Sequence, residues 1–314
     1  MIFDLPINNQ PSNIKLPKMQ TKRQIQELLA AAGVAPNRRL GQHFLVDLNL
    51  LRLLVEAAQI GPRDVVLEIG TGTGSLTEAL AERAGQVVTV ELDRTLAGIA
   101  QARLAGAENV QLLHTDVLSG KGSLAPVVTE AVTSARARLG GRLLLVANLP
   151  YDVASPVMIN LVKGPVLADA MTVTVQKEVA QRMTAAPGGK TYGTLSILLG
   201  ATGTVETLRL LKPGVFWPPP NVDSAMVRYV RDEQKSRRIR DMEVFSSVVG
   251  LFMGHRRKML RACARHAPPE LGGRDLWLDL FDRCSIDPTL RPEELSPDQY
   301  VTLANACRQS LSTL

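Results

Sequence analysis

The run Asn148-Leu149-Pro150-Tyr151 follows directly on an apolar segment, RLLLVA at 142–147. A carboxamide oxygen beside a main-chain carbonyl can accept two N–H bonds from one amino group. An amine on a purine ring is a poor nucleophile, because its lone pair is delocalised into the ring. Two acceptors that hold its N–H bonds let the nitrogen become pyramidal and present that lone pair, with no strong base. The Asn148 side chain and the Leu149 carbonyl are the candidate acceptors, and Pro150 fixes the turn. Tyr151 offers a flat face on which an extruded base can stack. The plainer alternative is a turn closed by a packing tyrosine.

Upstream lies a second set of chemistry-bearing residues. A strand-like run ends in Glu68, Gly70, Gly72 and Gly74, the last three alternating with Ile69, Thr71 and Thr73. Such glycines let the backbone turn tightly and approach a ligand closely. The dinucleotide pattern G-x-G-x-x-G fails here, because its third glycine would fall at Ser75 or Thr77. A nucleoside cofactor without a pyrophosphate fits the spacing better. The next strand-like run ends at Glu91, placed to accept two ribose hydroxyls, and the one after it at Asp116, placed to accept an adenine amine. Either acid alone is more often a solvated strand end. Their succession after a glycine loop favours a nucleoside pocket. A sulfonium methyl donor suits such a pocket, since its transfer is a displacement governed by alignment.

These residues must be held by elements of regular spacing. From Asp64 onward, short apolar runs alternate with helical stretches: DVVLEIG, QVVTVEL, NVQLLHTD, RLLLVA and MTVTVQ. Strands that alternate with helices predict a parallel sheet covered on both faces. After Gly203, TVETLRLL and SAMVRYV flank a Pro-rich loop, KPGVFWPPPNVD, which predicts an antiparallel edge hairpin. Past Asp232 the strands stop, and 241–266, 274–284 and 296–310 carry helical periods. The expected fold is α/β: a doubly wound, Rossmann-like sheet, mostly parallel with one antiparallel edge hairpin, followed by a smaller all-α domain. The expected division is a disordered tail over 1–20, a catalytic domain over 21–232 and a helical domain over 233–314.

Composition narrows the classes. The chain is 45% hydrophobic and 21% charged, with a net charge of +6, values of an ordinary globular protein. Between Arg228 and Arg265 stand eleven basic and four acidic residues, so this stretch carries +7 and the remainder is close to neutral. Such a patch attracts polyanions; a solvated helix face is the alternative. Cys263, Cys284 and Cys307 are too far apart for a metal or redox motif. No apolar run reaches the roughly 20 residues that cross a bilayer, and the N-terminus lacks a secretory pattern. A cytoplasmic monomer, with no metal and no membrane partner, is expected.

At this point the residues resemble a known family, the ribosomal RNA adenine N6,N6-dimethyltransferases, and its small-subunit (16S-type) enzymes in particular. The matching segments are LGQHFL at 40–45, EIGTG at 68–72, VELD at 90–93, NLPY at 148–151, QKEV at 176–179, YG at 192–193, FWPPP at 216–220, VDS at 222–224 and RRK at 256–258. IDP at 286–288 and RPEELS at 291–296 extend it into the helical domain. The resemblance implies S-adenosylmethionine as cofactor, with His43, Leu45, Gly70, Gly72, Glu91, Asp116 and Asn148 at its contact positions. It implies catalytic positions at Asn148, Leu149, Pro150 and Tyr151, and an aromatic, Phe216, packed on the target base opposite Tyr151. The implied substrate is a pair of adjacent adenosines in a hairpin loop near the 3′ end of small-subunit rRNA, each dimethylated, with a role in subunit biogenesis. Arg256, Arg257 and Lys258 fall on one helical stretch and are expected to contact RNA phosphates. His43 stands where many relatives have Asn, and residues 1–20 match nothing in the family. Lys177 and Glu178 read as a structural ion pair or cap.

Three rivals remain. A large-subunit dimethyltransferase of the antibiotic-resistance type shares the fold, but NLPY, FWPPP and the IDP…RPEELS tail favour the small-subunit branch. A non-catalytic ribosome-assembly or transcription factor would not need Asn148 and a complete glycine loop. A nicotinamide oxidoreductase fails on glycine spacing.

Overall fold

Four of the apolar runs are buried almost end to end: VVLEI, QVVTVE, LLLVAN and AMTVTVQ. A strand buried on both faces needs cover on both sides, and the chain supplies it by returning through a helix after each strand. A computed structural model describes residues 19–37, 41–120 and 122–312. The seven strands of its large sheet are β1 (Val65–Ile69), β2 (Gln86–Glu91), β3 (Val110–His114), β4 (Leu143–Asn148), β5 (Ala170–Gln176), β6 (Gly203–Leu211) and β7 (Ser224–Arg231). Their order is β3-β2-β1-β4-β5-β7-β6. The pairings β1 with β2, β1 with β4, β2 with β3 and β4 with β5 are all parallel. The strand order therefore reverses between β1 and β4, and a crevice opens beyond their carboxyl ends. The expected edge hairpin, β6 and β7, closes the other side of the sheet.

The crossover helices begin where short polar side chains cap them. Asp93 accepts the Thr95 and Leu96 amides at 2.9 and 3.1 Å and starts Arg94–Leu104. Asp47 does the same for Leu48–Ala57. Within the Pro-rich loop, Phe216–Trp217 forms a two-residue antiparallel ladder with Phe44–Leu45. That ladder ties the loop to the segment preceding the sheet. Among the described residues, no helix is long and apolar enough to cross a membrane.

The chain divides into two compact units, residues 1–180 with 206–229 and residues 181–205 with 230–314. The boundary expected at 232 is thus corrected: 181–205 clusters with the helical unit, although it lies far upstream in the chain. The helical unit gathers Thr194–Thr202, Met242–Met253, Arg274–Arg283 and Pro297–Leu311. Its core is aromatic, with Phe252 edge-on to Trp277 at 5.0 Å and beside Phe281 and Tyr300. Tyr192 donates to the Leu295 carbonyl at 2.8 Å, so the YG and RPEELS segments meet here as structure. Cys263, Cys284 and Cys307 are free thiols, and burial pushes Cys307 up to about 11.

Most of the tail expected over 1–20 lies outside the described residues. Gln20 does not belong to a disordered tail. It is buried in the first unit, its amide donates to Ser75 Oγ at 2.9 Å, and its side-chain oxygen accepts the Thr73 hydroxyl.

Candidate active site

Beyond β1 the backbone passes through Gly70, Gly72 and Gly74 with φ of +83°, +58° and +81°, a region that disfavours side chains. A Cβ at Gly72 would also stand 3.0 Å from Phe44 Cε1. The Gly72 amide donates to Glu91 Oε2 at 2.8 Å, and the Asp93 amide to Glu91 Oε1 at 2.9 Å. One buried carboxylate thus holds the loops after β1 and β2 together, and each oxygen keeps a lone pair for a ligand. Burial raises the Glu91 pKa, while these two amides oppose the rise. Under the glycine loop lies Glu68, 1% exposed, whose Oε2 accepts the Thr77 and Thr89 hydroxyls at 2.6 Å. Its Oε1 has no partner, and burial pushes Glu68 up to about 8. Asp116 is exposed, with Oδ1 taken by the Leu118 amide at 2.9 Å.

Asn148 ends β4, next to β1 across the switch point. Its Nδ2 donates to the His43 carbonyl at 2.7 Å, and its Oδ1 accepts the Thr174 hydroxyl. Because a carbonyl can only accept, His43 settles which end of the carboxamide is nitrogen. The following residue, Leu149, is buried and donates its amide to the Thr174 carbonyl at 3.2 Å. Tyr151 stacks on the His43 ring at 5.5 Å between centroids, and its hydroxyl meets Ser224 Oγ at 2.8 Å. His43 Nδ1–H donates to the Pro218 carbonyl at 2.7 Å.

A single cavity of about 180 Å³ joins these groups. His43, Gly70, Gly72, Glu91, Asp116, Asn148, Leu149, Pro150 and Tyr151 all stand on its wall. Leu45 and Phe216 do not. They are 5% and 3% exposed and face each other in the two-residue ladder. Neighbours in an extended segment point to opposite sides, so Phe44 takes the cavity wall and Leu45 the interior. Sequence reasoning passed over Phe44, Gln42 and the apolar side chains Leu92, Leu96 and Val117, all of which line the cavity. Leu92 is 51% exposed and stands on the cavity wall. Apolar walls for a purine, Asp116 at one end and the Glu91 carboxylate at the other fit a nucleoside. The left-handed glycines, pressed by Phe44, leave the backbone bare beside it.

Lys177 pairs with Asp223 at 3.7 Å. In the helical unit, Arg256, Arg257 and Lys258 correct the expected placement. They do not lie on a helix, because Met242–Met253 ends at Gly254 and the next helix, Leu260–Cys263, begins two residues after Lys258. Arg256 is committed to the Glu293 carboxylate and to the Lys190 carbonyl at 2.9 Å. Arg257 and Lys258 are exposed, and Lys258 Nζ donates to His266 Nε2 at 2.9 Å.

The doubly wound sheet and the cleft at its switch point define a Rossmann-like, nucleoside-binding class of protein. Residues 34–306 match the ribosomal RNA adenine dimethylase family, and the chain belongs to that family. It is 38% identical over 283 residues to the ribosomal RNA small subunit methyltransferase A of Pelotomaculum thermopropionicum, covering 90% of this chain and 95% of the relative. The protein of that name from a Geobacillus strain is 35% identical over 292 residues, covering 93% and 98%. Among solved structures, a dimethyladenosine transferase from Plasmodium falciparum superposes with a TM-score of 0.66 at 23% identity, over 83% of this chain and 96% of that one. The chain is therefore an S-adenosylmethionine-dependent rRNA adenine dimethyltransferase.

Proposed function

We propose that this enzyme dimethylates the N6 amines of two adjacent adenosines in a hairpin loop near the 3′ end of small-subunit rRNA. One observation carries the reading: the Asn148 carboxamide, oriented from both ends, stands on the wall of the same cavity as Glu91 and Asp116. Glu91 would take the ribose hydroxyls, Asp116 the adenine amine, and Leu92, Leu96 and Val117 the faces of the cofactor's purine. When bound, S-adenosylmethionine supplies a methyl group already activated on a positively charged sulfur, so the reading requires no metal. Asn148 Oδ1 and the Leu149 carbonyl accept the N–H bonds of the target amine, and Tyr151 stacks on its ring. The nitrogen lone pair is thereby aimed along the line of displacement, and alignment supplies the rate. Leu45 acts behind this wall by seating Phe44. Phe216 reaches the base only if the ladder with Leu45 opens when RNA binds. Arg257 and Lys258 contact phosphates, while Arg256 shapes the turn that presents them. The substrate is an immature small subunit in the cytoplasm, bound by a monomer, and the reaction belongs to subunit biogenesis.

Purified enzyme and labelled S-adenosylmethionine, offered undermethylated small and large subunits side by side, test this reading. Mass spectrometry should find the label in N6,N6-dimethyladenosine at two neighbouring positions of the small-subunit RNA. Label confined to large-subunit RNA would overturn the proposal.

A further inference from the structure

We infer that Thr174 is a positioning residue for methyl transfer, gripping the Asn148 carboxamide and the peptide link that leads from it into Leu149. The inference rests on the role proposed above for Asn148 and Leu149. Parallel pairing of β4 with β5 sets Asn148 opposite Thr174. The Thr174 hydroxyl donates to Asn148 Oδ1, and the Thr174 carbonyl accepts the Leu149 amide at 3.2 Å. One residue, 1% exposed, thus anchors the side chain of Asn148 and the peptide link that carries it into Leu149.

The two halves of this grip do different work. The main-chain half survives any substitution at 174, because it needs only the strand. The hydroxyl half does not. Rotation of an amide side chain about its last bond exchanges oxygen and nitrogen. Against that exchange stand the His43 carbonyl at Nδ2 and the Thr174 hydroxyl at Oδ1. With the hydroxyl removed, one restraint remains, and the oxygen meant for the substrate amine is free to swing away from the line of attack. The sulfonium pocket on the β1 and β2 side, with Glu91 and Asp116, is untouched. The loss should therefore fall on kcat and leave cofactor affinity alone, a split that a general loosening of the fold would not produce.

The test uses Thr174→Val, which keeps the shape, Thr174→Ala, which removes hydroxyl and methyl together, and Thr174→Ser, which keeps the hydroxyl. Single-turnover methylation of small subunits should slow about 10-fold in both Val and Ala variants, the effect of one lost orienting hydrogen bond. S-adenosylmethionine affinity by calorimetry should change less than about twofold, and Thr174→Ser should recover most of the rate. If Val and Ala variants turn over at the wild-type rate while Asn148→Ala is inactive, the positioning role is wrong and the role of Asn148 stands. If Asn148→Ala itself transfers methyl normally, the underlying reading fails instead. Should Ser and Ala slow equally, packing rather than the hydroxyl is responsible and the inference is overturned.

Discussion

Glu68 shows how one buried atom couples this fold to pH. Its carboxyl has an ordinary value of 4.5, is pushed up to about 8 by burial, and keeps one oxygen without a donor. Because the folded value lies above the unfolded one, its favourable contribution is complete below pH 4.5 and is lost as pH rises through about 8. Glu68→Gln keeps the acceptor for Thr77 and Thr89 and cannot ionise. Its melting temperature relative to wild type should therefore climb by roughly 2–4 °C or more between pH 5 and pH 8.5; a difference independent of pH would show that the carboxyl titrates normally. At the same scale, Asn148→Ala should lower methyl transfer by roughly 10²-fold or more, the usual effect of removing a group that acts on the reacting atoms. Binding of S-adenosylmethionine should persist, because Glu91 and Asp116 remain. Reading Asn148, Glu91 and Asp116 needed only their positions after successive strands. Separating Phe44 from Leu45 needed the ladder with Phe216 and Trp217, since an extended pair presents one side chain to each side.

The glycine loop is an element whose sequence and geometry agree. Gly72 combines a φ of +58° with a Phe44 ring that a Cβ would press at 3.0 Å. Gly72→Ala would cost about 1–2 kcal/mol in backbone strain and displace Phe44 and the amide that reaches Glu91. Calorimetry should show S-adenosylmethionine affinity falling about tenfold or more with the fold retained. Wild-type affinity would mean that the loop adjusts freely. The turn around Arg256 is the opposite case. Its charged residues suit an exposed helix face as well as a turn, so composition did not discriminate. Backbone bonds decide it: Leu260 donates to the Leu290 carbonyl at 2.8 Å and Arg261 to the Pro288 carbonyl at 3.0 Å. Those partners stand some thirty residues downstream, beyond the reach of local periodicity.

At the scale of the whole molecule, the net charge of +6 is concentrated, and the stretch from Arg228 to Arg265 carries +7. Only part of that charge is available to a polyanion. Replacing Arg257 and Lys258 with Gln should weaken RNA binding and reduce the slope of log affinity against log salt by about two. Arg256→Gln should leave the slope nearly unchanged and instead cost about 1 kcal/mol of stability, because Glu293 loses its partner. Fluorescence anisotropy across a salt series and thermal melts separate the two; equal slopes for both variants would return Arg256 to the RNA surface.

The amino-acid sequence alone determined the alternating sheet, its switch point and the residues that end its strands. Buried strands, capped helices and left-handed glycines are local requirements and leave local signatures. The tertiary structure alone decided that residues 181–205 join the helical unit, that Phe44 rather than Leu45 faces the cleft, and that Thr174 holds Asn148. Each depends on a partner supplied by a distant part of the chain, and a contact between separated segments has no period to betray it.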